Sequence, residues 1–150
     1  MTKLTTADIH IRVAQKHEAT VLSDLTWRSK GYWGYDEEFL RNCGELLNIK
    51  ASFIEAAMVY VAEFKQRISG FYGLWEGHDG PELAYLQVEP ELIGNGLGKL
   101  LWNHAVVQAK QKGWHALRIP ADPHSIPFFQ HMGAVVVKEE ILQYTLEIKE

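Results

Sequence analysis

A glycine-rich turn, Gly94-Asn95-Gly96-Leu97-Gly98, separates an apolar segment from a long helical one, and it constrains the fold more than any other feature. Residues 82–88 have the composition of a strand, and apolar residues on one side of 96–112 predict a helix that Gly113 can end. The free N–H groups and the dipole at the start of a helix attract anions, and glycines let a phosphate approach the backbone. The turn is therefore either a phosphate-binding site or a tight turn that lets a helix pack closely on a strand.

Two common phosphate-binding motifs do not fit this turn. A dinucleotide fingerprint requires G-x-G-x-x-G, but Lys99 stands three residues after Gly96. A P-loop requires a glycine five residues before Gly98 and a serine or threonine after the lysine, where this sequence has Ile93 and Leu100. Both motifs are excluded.

Strand-like and helix-like segments alternate along the rest of the chain. Apolar and polar residues alternate at 9–13, which predicts a half-buried first strand, and the spacing at 16–28 favours a helix. A second helix is predicted at 37–47 and a short one is predicted to end at His131. Further strands are predicted at 58–62, 68–75, 82–88, 115–119, 134–137 and 141–148. With no repeat or linker, this order predicts one domain over 1–150, of α/β or α+β class with a mixed sheet.

The composition narrows the possible partners. The chain is 47% apolar and 23% charged, as in an ordinary globular protein, and its net charge of −4 gives no reason to expect nucleic-acid binding. Apolar runs fall short of the ~18 residues of a membrane span, and the N-terminus lacks the apolar stretch of a secretory signal. Cys43 is the only cysteine, so we expect no intrachain disulfide and a cytoplasmic location. With no Cys/His cluster or HExxH sequence, we expect no metal site.

Two segments resemble motifs of the GNAT family of N-acetyltransferases. Leu86-x-Val88-x-Pro90 followed by Gly94-x-Gly96-Leu97-Gly98-x-x-Leu101 is similar to the central motif of the family, and 122–134 is similar to its last conserved segment. The strand and helix at 9–28 also match in order and length. The resemblance covers nearly the whole chain. It implies a single-domain GNAT fold, with a mixed, mostly antiparallel central sheet flanked by helices on both faces, and acetyl-CoA as the donor co-substrate.

The resemblance also implies which residues bind the cofactor. Leu86 and Val88 would offer backbone groups to the pantetheine arm where two strands splay apart, and Ser125 and Phe128 would flank the far end of the cofactor. Ile93 stands where the family usually has Gln or Arg, so one charge-assisted contact worth ~1.5–3 kcal/mol is missing. The pyrophosphate would be lined by the backbone N–H groups of Ile93, Gly94, Asn95, Gly96, Leu97, Gly98 and Lys99.

Two glutamates are candidates for the general base that takes the proton of the acceptor. In the histone acetyltransferase branch of the family, the general base is a glutamate near the start of the strand before the glycine turn, and Glu82 occupies the similar place. Strand alternation would put Glu82 on one face with Leu86; the alternative is a solvated carboxylate. Glu89 is expected to face solvent, which makes it a weaker candidate.

Several groups are candidates to protonate the leaving thiolate. Many relatives have a tyrosine where this chain has Phe129, which cannot donate a proton. Tyr85, Tyr72 or a water held by Ser125 could replace it. A thiol of pKa ~8.5 is also a fair leaving group without an acid.

Four aromatic residues in and after the first predicted helix are candidates for binding the acceptor: Trp27, Tyr32, Trp33 and Tyr35. The resemblance places them over the acceptor end of the cleft, where they would suit an apolar or cationic acceptor; alternatively they pin a loop to the core. The sequence thus predicts acetyl transfer from acetyl-CoA to a primary amine of a small molecule or peptide by direct attack. The alternative is a non-catalytic acyl-CoA-binding regulatory module. A homodimer through the final strands is a further possibility.

Overall fold

The computed structural model describes residues 8–32, 34–35, 37–42, 44–139 and 144–149. In this part of the chain the helices are α1 (Ala19–Tyr32), α2 (Glu37–Asn42), α3 (Gly44–Leu47), α4 (Ala51–Ala56), α5 (Leu97–Gln111) and α6 (Ile126–His131), with short 3-10 turns at Lys16–Glu18 and Pro90–Leu92. The strands are β1 (Ile9–Val13), β2 (Met58–Phe64), β3 (Arg67–Gly77), β4 (Gly80–Val88), β5 (Ala116–Ala121), β6 (Val135–Glu139) and β7 (Tyr144–Lys149).

These strands form one sheet in the order β1-β2-β3-β4-β5-β7-β6. Every neighbouring pair is antiparallel except β4 and β5, which are parallel. The predicted mixed, mostly antiparallel sheet is therefore confirmed. Residues 37–42 and 44–47 of the helix predicted at 37–47 are helical, as α2 and α3, and Cys43 lies outside the described residues. The sequence pattern gave no indication of α4. The last predicted strand begins at 141–143, outside the described residues.

Helices cover both faces of the sheet, as predicted. Phe71 and Tyr72 are neighbours on β3 and are both fully buried, but they belong to different core clusters. Because successive strand residues point to opposite faces, the two clusters lie on opposite sides of the sheet. One cluster contains the buried side of α5 and the other contains Leu22 and Leu25 of α1.

None of the helices in the described ranges is long and apolar enough to cross a membrane.

Helix α5 packs closely against β3 at Gly70. A Cβ atom on Gly70 would lie 2.9 Å from Cδ1 of Leu101 and 3.0 Å from the carbonyl oxygen of Gln87. Any side chain at this position would therefore displace the helix or the neighbouring strand. This close contact fixes the start of α5, and with it the glycine turn, relative to β4.

A bulge in β4 changes which of its side chains share a face. Gly73 lies opposite Tyr85 and Leu74 lies opposite Leu83, so Ala84 is an extra residue with no partner in β3. Leu83 consequently packs into the α5-side core, whereas Tyr85 packs against the α1-side core. The expected alternation along the strand is interrupted at this point.

Candidate active site

A cleft of about 1220 Å³ lies where β4 and β5 separate. These two parallel strands share a single pair in the described residues, Glu82 opposite Arg118, and beyond it the strands diverge. The cleft runs from the glycine turn and the start of α6, past β4 and β5, to residues of α1 and α4. Ten of the predicted site residues line it: Glu82, Leu86, Val88, Ile93, Gly94, Gly96, Gly98, Lys99, Ser125 and Phe128.

The glycine turn points only some of its backbone N–H groups outward. Gly94 and Gly96 have φ values of +88° and +84°, which L side chains rarely adopt. Two of the predicted donors are used inside the turn, because Ile93 N–H donates to Pro90 O and Asn95 N–H donates to Leu92 O, each at 3.2 Å. The donors without a backbone acceptor among the described residues are those of Gly94, Gly96, Leu97, Gly98 and Lys99.

Leu97 and Lys99 differ in where their side chains lie. The Leu97 side chain is 2% exposed and packs in the core, so only its backbone faces outward. The Lys99 side chain is exposed and lines the cleft beside the helix N-terminus. Together the free N–H groups, the α5 dipole and this ammonium make the turn attractive to an anion.

Phe128 and Ser125 line the cleft beside this turn. A Cβ atom on Gly98 would lie 3.4 Å from Cε1 of Phe128, so the absence of a side chain there allows the ring to approach the helix start. Ser125 precedes α6, and its hydroxyl donates to the Asp122 carbonyl at 2.9 Å. Phe129, which follows Phe128, is 5% exposed. Its ring packs edge-on against that of Phe128 and at a tilt against that of Trp102, at centroid distances of 5.2 and 5.9 Å.

The expectation that Glu89 faces solvent is wrong. Glu89 is 3% exposed, and Arg28 of α1 donates to its two carboxylate oxygens at 2.7 and 2.8 Å. The Glu89 N–H donates to Ser69 O at 2.8 Å. This fork-like ion pair joins α1 to the end of β4, immediately before the glycine turn. Glu89 is therefore a structural anchor rather than a candidate base.

Asp122 lines the cleft and is the centre of a network of polar contacts. Its carboxylate is 11% exposed, pairs with the Lys30 ammonium, and accepts hydrogen bonds from the Tyr35 hydroxyl at 2.8 Å and the Ser125 N–H at 3.1 Å. Burial alone would raise the pKa of Asp122, but the Lys30 charge and these hydrogen bonds hold that pKa below its ordinary value. The network joins the end of α1 to the loop between β5 and α6.

Glu82 lies half-buried in the cleft, beside the point where β4 and β5 diverge. Trp75, directly opposite on β3, donates its indole N–H to Oε1 of Glu82 at 3.3 Å. Burial raises the pKa of Glu82 and the nearby Asp79 raises it further, whereas the Trp75 hydrogen bond and the Arg118 charge oppose the change. The net effect is a raised pKa, as a carboxyl group needs in order to take up protons at neutral pH.

Three aromatic rings surround Glu82. The ring of Phe53 contacts those of Trp75 and Tyr85 edge-on, at centroid distances of 5.3 and 5.4 Å. The β4 bulge brings Glu82 and Tyr85 to the same face, and not Glu82 and Leu86 as alternation predicts. Burial raises the pKa of Tyr85 and the charge of Glu82 raises it further, so its phenol stays protonated. Sequence reasoning missed Phe53 because it lies in α4.

The other candidate proton donors differ in access to the cleft. Tyr72 is 0% exposed, and its hydroxyl lies 2.6 Å from Nδ1 of His104 on the α5 side of the sheet. Ser125 lines the cleft, but its hydroxyl already donates to a backbone carbonyl. Among the three candidates, Tyr85 is the tyrosine that shares the cleft with Glu82.

The structure brings few of the predicted acceptor-binding aromatic residues to the cleft. Trp27 is half-buried and Tyr32 is 55% exposed, and neither lines the cavity. The Tyr35 hydroxyl donates to Asp122, which lines the cavity. The Tyr35 ring packs edge-on against that of His124. Trp33 lies outside the described residues.

The described chain holds no group of three or more His, Cys, Asp or Glu side chains that could bind a metal.

A mixed sheet that opens between two parallel strands, with a glycine turn and a helix N-terminus beside the opening, is the arrangement expected of an acetyltransferase. The sequence profile of the acetyltransferase (GNAT) family matches residues 20–134, so the chain belongs to this family. None of the curated protein sequences compared with the chain matches it significantly.

Solved structures with the same fold extend over nearly the whole chain. The PaiA N-acetyltransferase of Thermoplasma acidophilum, in complex with coenzyme A, has a TM-score of 0.82 and 20% identity, covering 95% of this chain and 99% of that one. A GCN5-related N-acetyltransferase from Rhodopseudomonas palustris has a TM-score of 0.81 and 17% identity, with 99% and 100% covered. A GNAT acetyltransferase from Elizabethkingia anophelis with acetyl-CoA bound has a TM-score of 0.68 and 15% identity, with 95% and 99% covered.

Proposed function

We propose that the protein transfers an acetyl group from acetyl-CoA to a primary amine by direct attack, with Glu82 as the general base. The observation that carries this proposal is the position of Glu82: half-buried, with a raised pKa, in the cleft where β4 and β5 diverge. An amine of pKa ~10.4 is only about 0.04% neutral at pH 7, a deficit of ~4.6 kcal/mol that a base must help to offset.

The glycine turn fits the pyrophosphate of acetyl-CoA. Its free N–H groups, its two left-handed glycines and the exposed Lys99 form an anion site at the start of α5. The N–H groups of Ile93 and Asn95 serve the turn itself, so we assign binding to the donors from Gly94 and from 96–99. Relatives of the same fold that carry coenzyme A or acetyl-CoA support this assignment.

The diverging strands fit the pantetheine arm. Beyond the Glu82–Arg118 pair, β4 has no partner in β5 among the described residues, so the backbone groups of Leu86 and Val88 are candidates to receive the arm as an added strand. Ser125 and Phe128 line the same cleft. The donor end of the cleft thus uses mainly backbone groups, as the apolar Ile93 suggests.

The donor supplies its acetyl group as a thioester, whose C–S bond breaks as the acceptor nitrogen bonds to the acetyl carbon. Glu82 takes the proton of the incoming ammonium and passes it to solvent. As the nitrogen attacks, it loses a second proton, and the sulfur takes up one proton in place of the acetyl group. The net release is therefore one proton in each turnover. We assign the transfer of that second proton to Tyr85, whose phenol stays protonated at neutral pH.

Thiol release from acetyl-CoA with a panel of primary amines tests the proposed function. Glu82→Gln should lower kcat/KM at pH 7 by about 10²-fold or more, the usual contribution of general base catalysis, with little change in coenzyme A binding. The matched control is Glu76→Gln, which removes an exposed carboxylate from the neighbouring strand. Tight coenzyme A binding with no thiol release for any amine would instead indicate a non-catalytic regulatory module. Ile93 and Phe129, where the chain departs from the family pattern, are the features that favour this alternative.

A further inference from the structure

Two opposite charges lie side by side in the cleft without forming an ion pair with each other. Glu82 and Arg118 are paired residues on adjacent strands and both line the cavity. The Arg118 charge lowers the pKa of Glu82, so the guanidinium is within electrostatic reach of the carboxylate. Within the described ranges, however, neither residue has an ion-pair partner within 4.0 Å. Both charged groups are therefore available to a ligand.

The other charges facing the cleft are differently placed. Lys30 and Asp122 pair with each other. Lys50 lines the cavity but already interacts with another group. Asp79 is exposed on the turn between β3 and β4. Glu82 and Arg118 are thus half-buried opposite charges in the cleft that do not pair with each other, and their burial limits solvent screening.

An apolar surface adjoins this pair. Phe53 and Trp75 pack edge-on beside Glu82, and Trp75 remains 38% exposed. Ala56 extends the same wall of the cavity. A ligand that used both charges would therefore also contact aromatic rings.

We propose that the acceptor is a free amino acid with an apolar or aromatic side chain. This proposal rests on the proposed function. Its ammonium would face Glu82 and its carboxylate would pair with Arg118, whose planar guanidinium suits carboxylate binding. Its side chain would pack against Phe53 and Trp75. Acetylation gives an N-acetyl amino acid and coenzyme A, with one proton released. A diamine would instead place its second ammonium near Arg118, where like charges repel.

Matched acceptor pairs test this proposal. Phenylalanine should exceed phenethylamine and phenylalanine amide in kcat/KM by about 10-fold or more, the loss expected for one charge-assisted hydrogen bond. Leucine should likewise exceed isoamylamine. Thiol release is the readout, with putrescine as the diamine. Equal or greater rates with phenethylamine or putrescine would overturn the proposed acceptor class while leaving amine acetylation intact.

Arg118→Gln should reduce the phenylalanine-to-phenethylamine ratio to near one, mainly through the KM for phenylalanine. The control Lys112→Gln, which removes a positive charge at the other end of α5, should preserve the ratio. Calorimetric titration of phenylalanine into the protein with coenzyme A gives a readout independent of turnover. Phenylalanine binding that Arg118→Gln abolishes would support the inferred site even if no amine were acetylated. Absence of phenylalanine binding to the wild-type protein would refute it.

Discussion

The indole N–H of Trp75 donates to the carboxylate of Glu82 across the β3–β4 pairing, at 3.3 Å. A hydrogen bond to the charged form of an acid favours that form, so this contact opposes the effect of burial on the pKa of Glu82. Trp75 therefore contributes both to the position of the carboxylate and to its pKa, which burial raises.

Trp75→Phe should raise the pKa of Glu82 because it removes this hydrogen bond. A general base must be deprotonated to act, so kcat/KM falls as pH drops through the pKa of Glu82. We expect the midpoint of this acid limb to move to higher pH in the variant. Trp114→Phe, which changes a tryptophan outside the cleft, should leave the midpoint in place. A midpoint that stays fixed or moves to lower pH in Trp75→Phe would exclude Glu82 as the titrating base.

Tyr85→Phe tests the proposed proton donor. The phenol of Tyr85 stays protonated, and its removal should lower kcat by about 10²-fold if it donates to the thiolate. Coenzyme A affinity should change little. Tyr72→Phe is the matched control: its hydroxyl is buried against His104, so it should cost about 1 kcal/mol of stability without a comparable loss of rate. Equal rate losses in the two variants would argue against the assignment.

Gly96→Ala and Gly113→Ala separate backbone strain from ligand binding. Both glycines are left-handed, with φ of +84° and +82°, and a Cβ atom at either would meet nothing within 4 Å. Each substitution should therefore cost about 1–2 kcal/mol through the backbone alone. Only Gly96 lines the cleft, so only Gly96→Ala should also lose most of the thermal shift caused by coenzyme A. The prediction fails if both variants retain that shift equally.

Local features of the site were predictable from the sequence, because short segments specify them. The strand before the turn, the glycines and the start of α5 all follow from composition and spacing. The β4 bulge was not predictable, because the sequence around Ala84 has no pattern that indicates an extra residue. The bulge is defined only by the pairing of β4 with β3. That bulge decides that Tyr85, and not Leu86, shares a face with Glu82.

Long-range pairing explains the other differences. Glu89 is buried because Arg28 neutralises it, and nothing near either residue in the sequence shows that they meet. Phe53 joins the aromatic wall only because α4 folds over β3 and β4. A strand-end carboxylate and an isolated phenylalanine thus acquire their roles from tertiary structure, which periodicity does not contain.

Asp122→Asn should destabilise the fold strongly, because it leaves the Lys30 ammonium buried without its counter-charge. The Lys30 side chain is only 15% exposed, so we expect a loss of about 3–5 kcal/mol in the free energy of unfolding. The pKa of Asp122 is lowered in the folded state, so the stabilisation is fully present above the unfolded pKa of about 3.9. It should be lost progressively as pH falls from that value to the lower folded pKa.

Urea unfolding from pH 8 to pH 3 measures this effect. The difference between the wild type and Asp122→Asn should stay constant down to about pH 5 and shrink below pH 4, where Asp122 of the unfolded wild-type chain begins to be protonated. Asp24→Asn, which changes an exposed carboxylate on α1, is the control and should cost little at any pH. A small loss of stability at pH 7 in Asp122→Asn would show that Lys30 finds another partner.

His104 should make the fold sensitive to mild acid. Burial lowers the pKa of His104, whose Nδ1 lies 2.6 Å from the Tyr72 hydroxyl; the neutral ring can accept that O–H, and protonation removes the acceptor. With a folded pKa below the unfolded value of about 6.5, the unfolded chain binds the proton more readily. The stabilisation is therefore present above pH 6.5 and is lost as pH falls below it, until the folded pKa is reached. His104→Gln should flatten the stability profile between pH 7.5 and 5.5, whereas His10→Gln, which changes an exposed histidine, should not. Equal slopes in the wild type and His104→Gln would show that His104 does not titrate differently on unfolding.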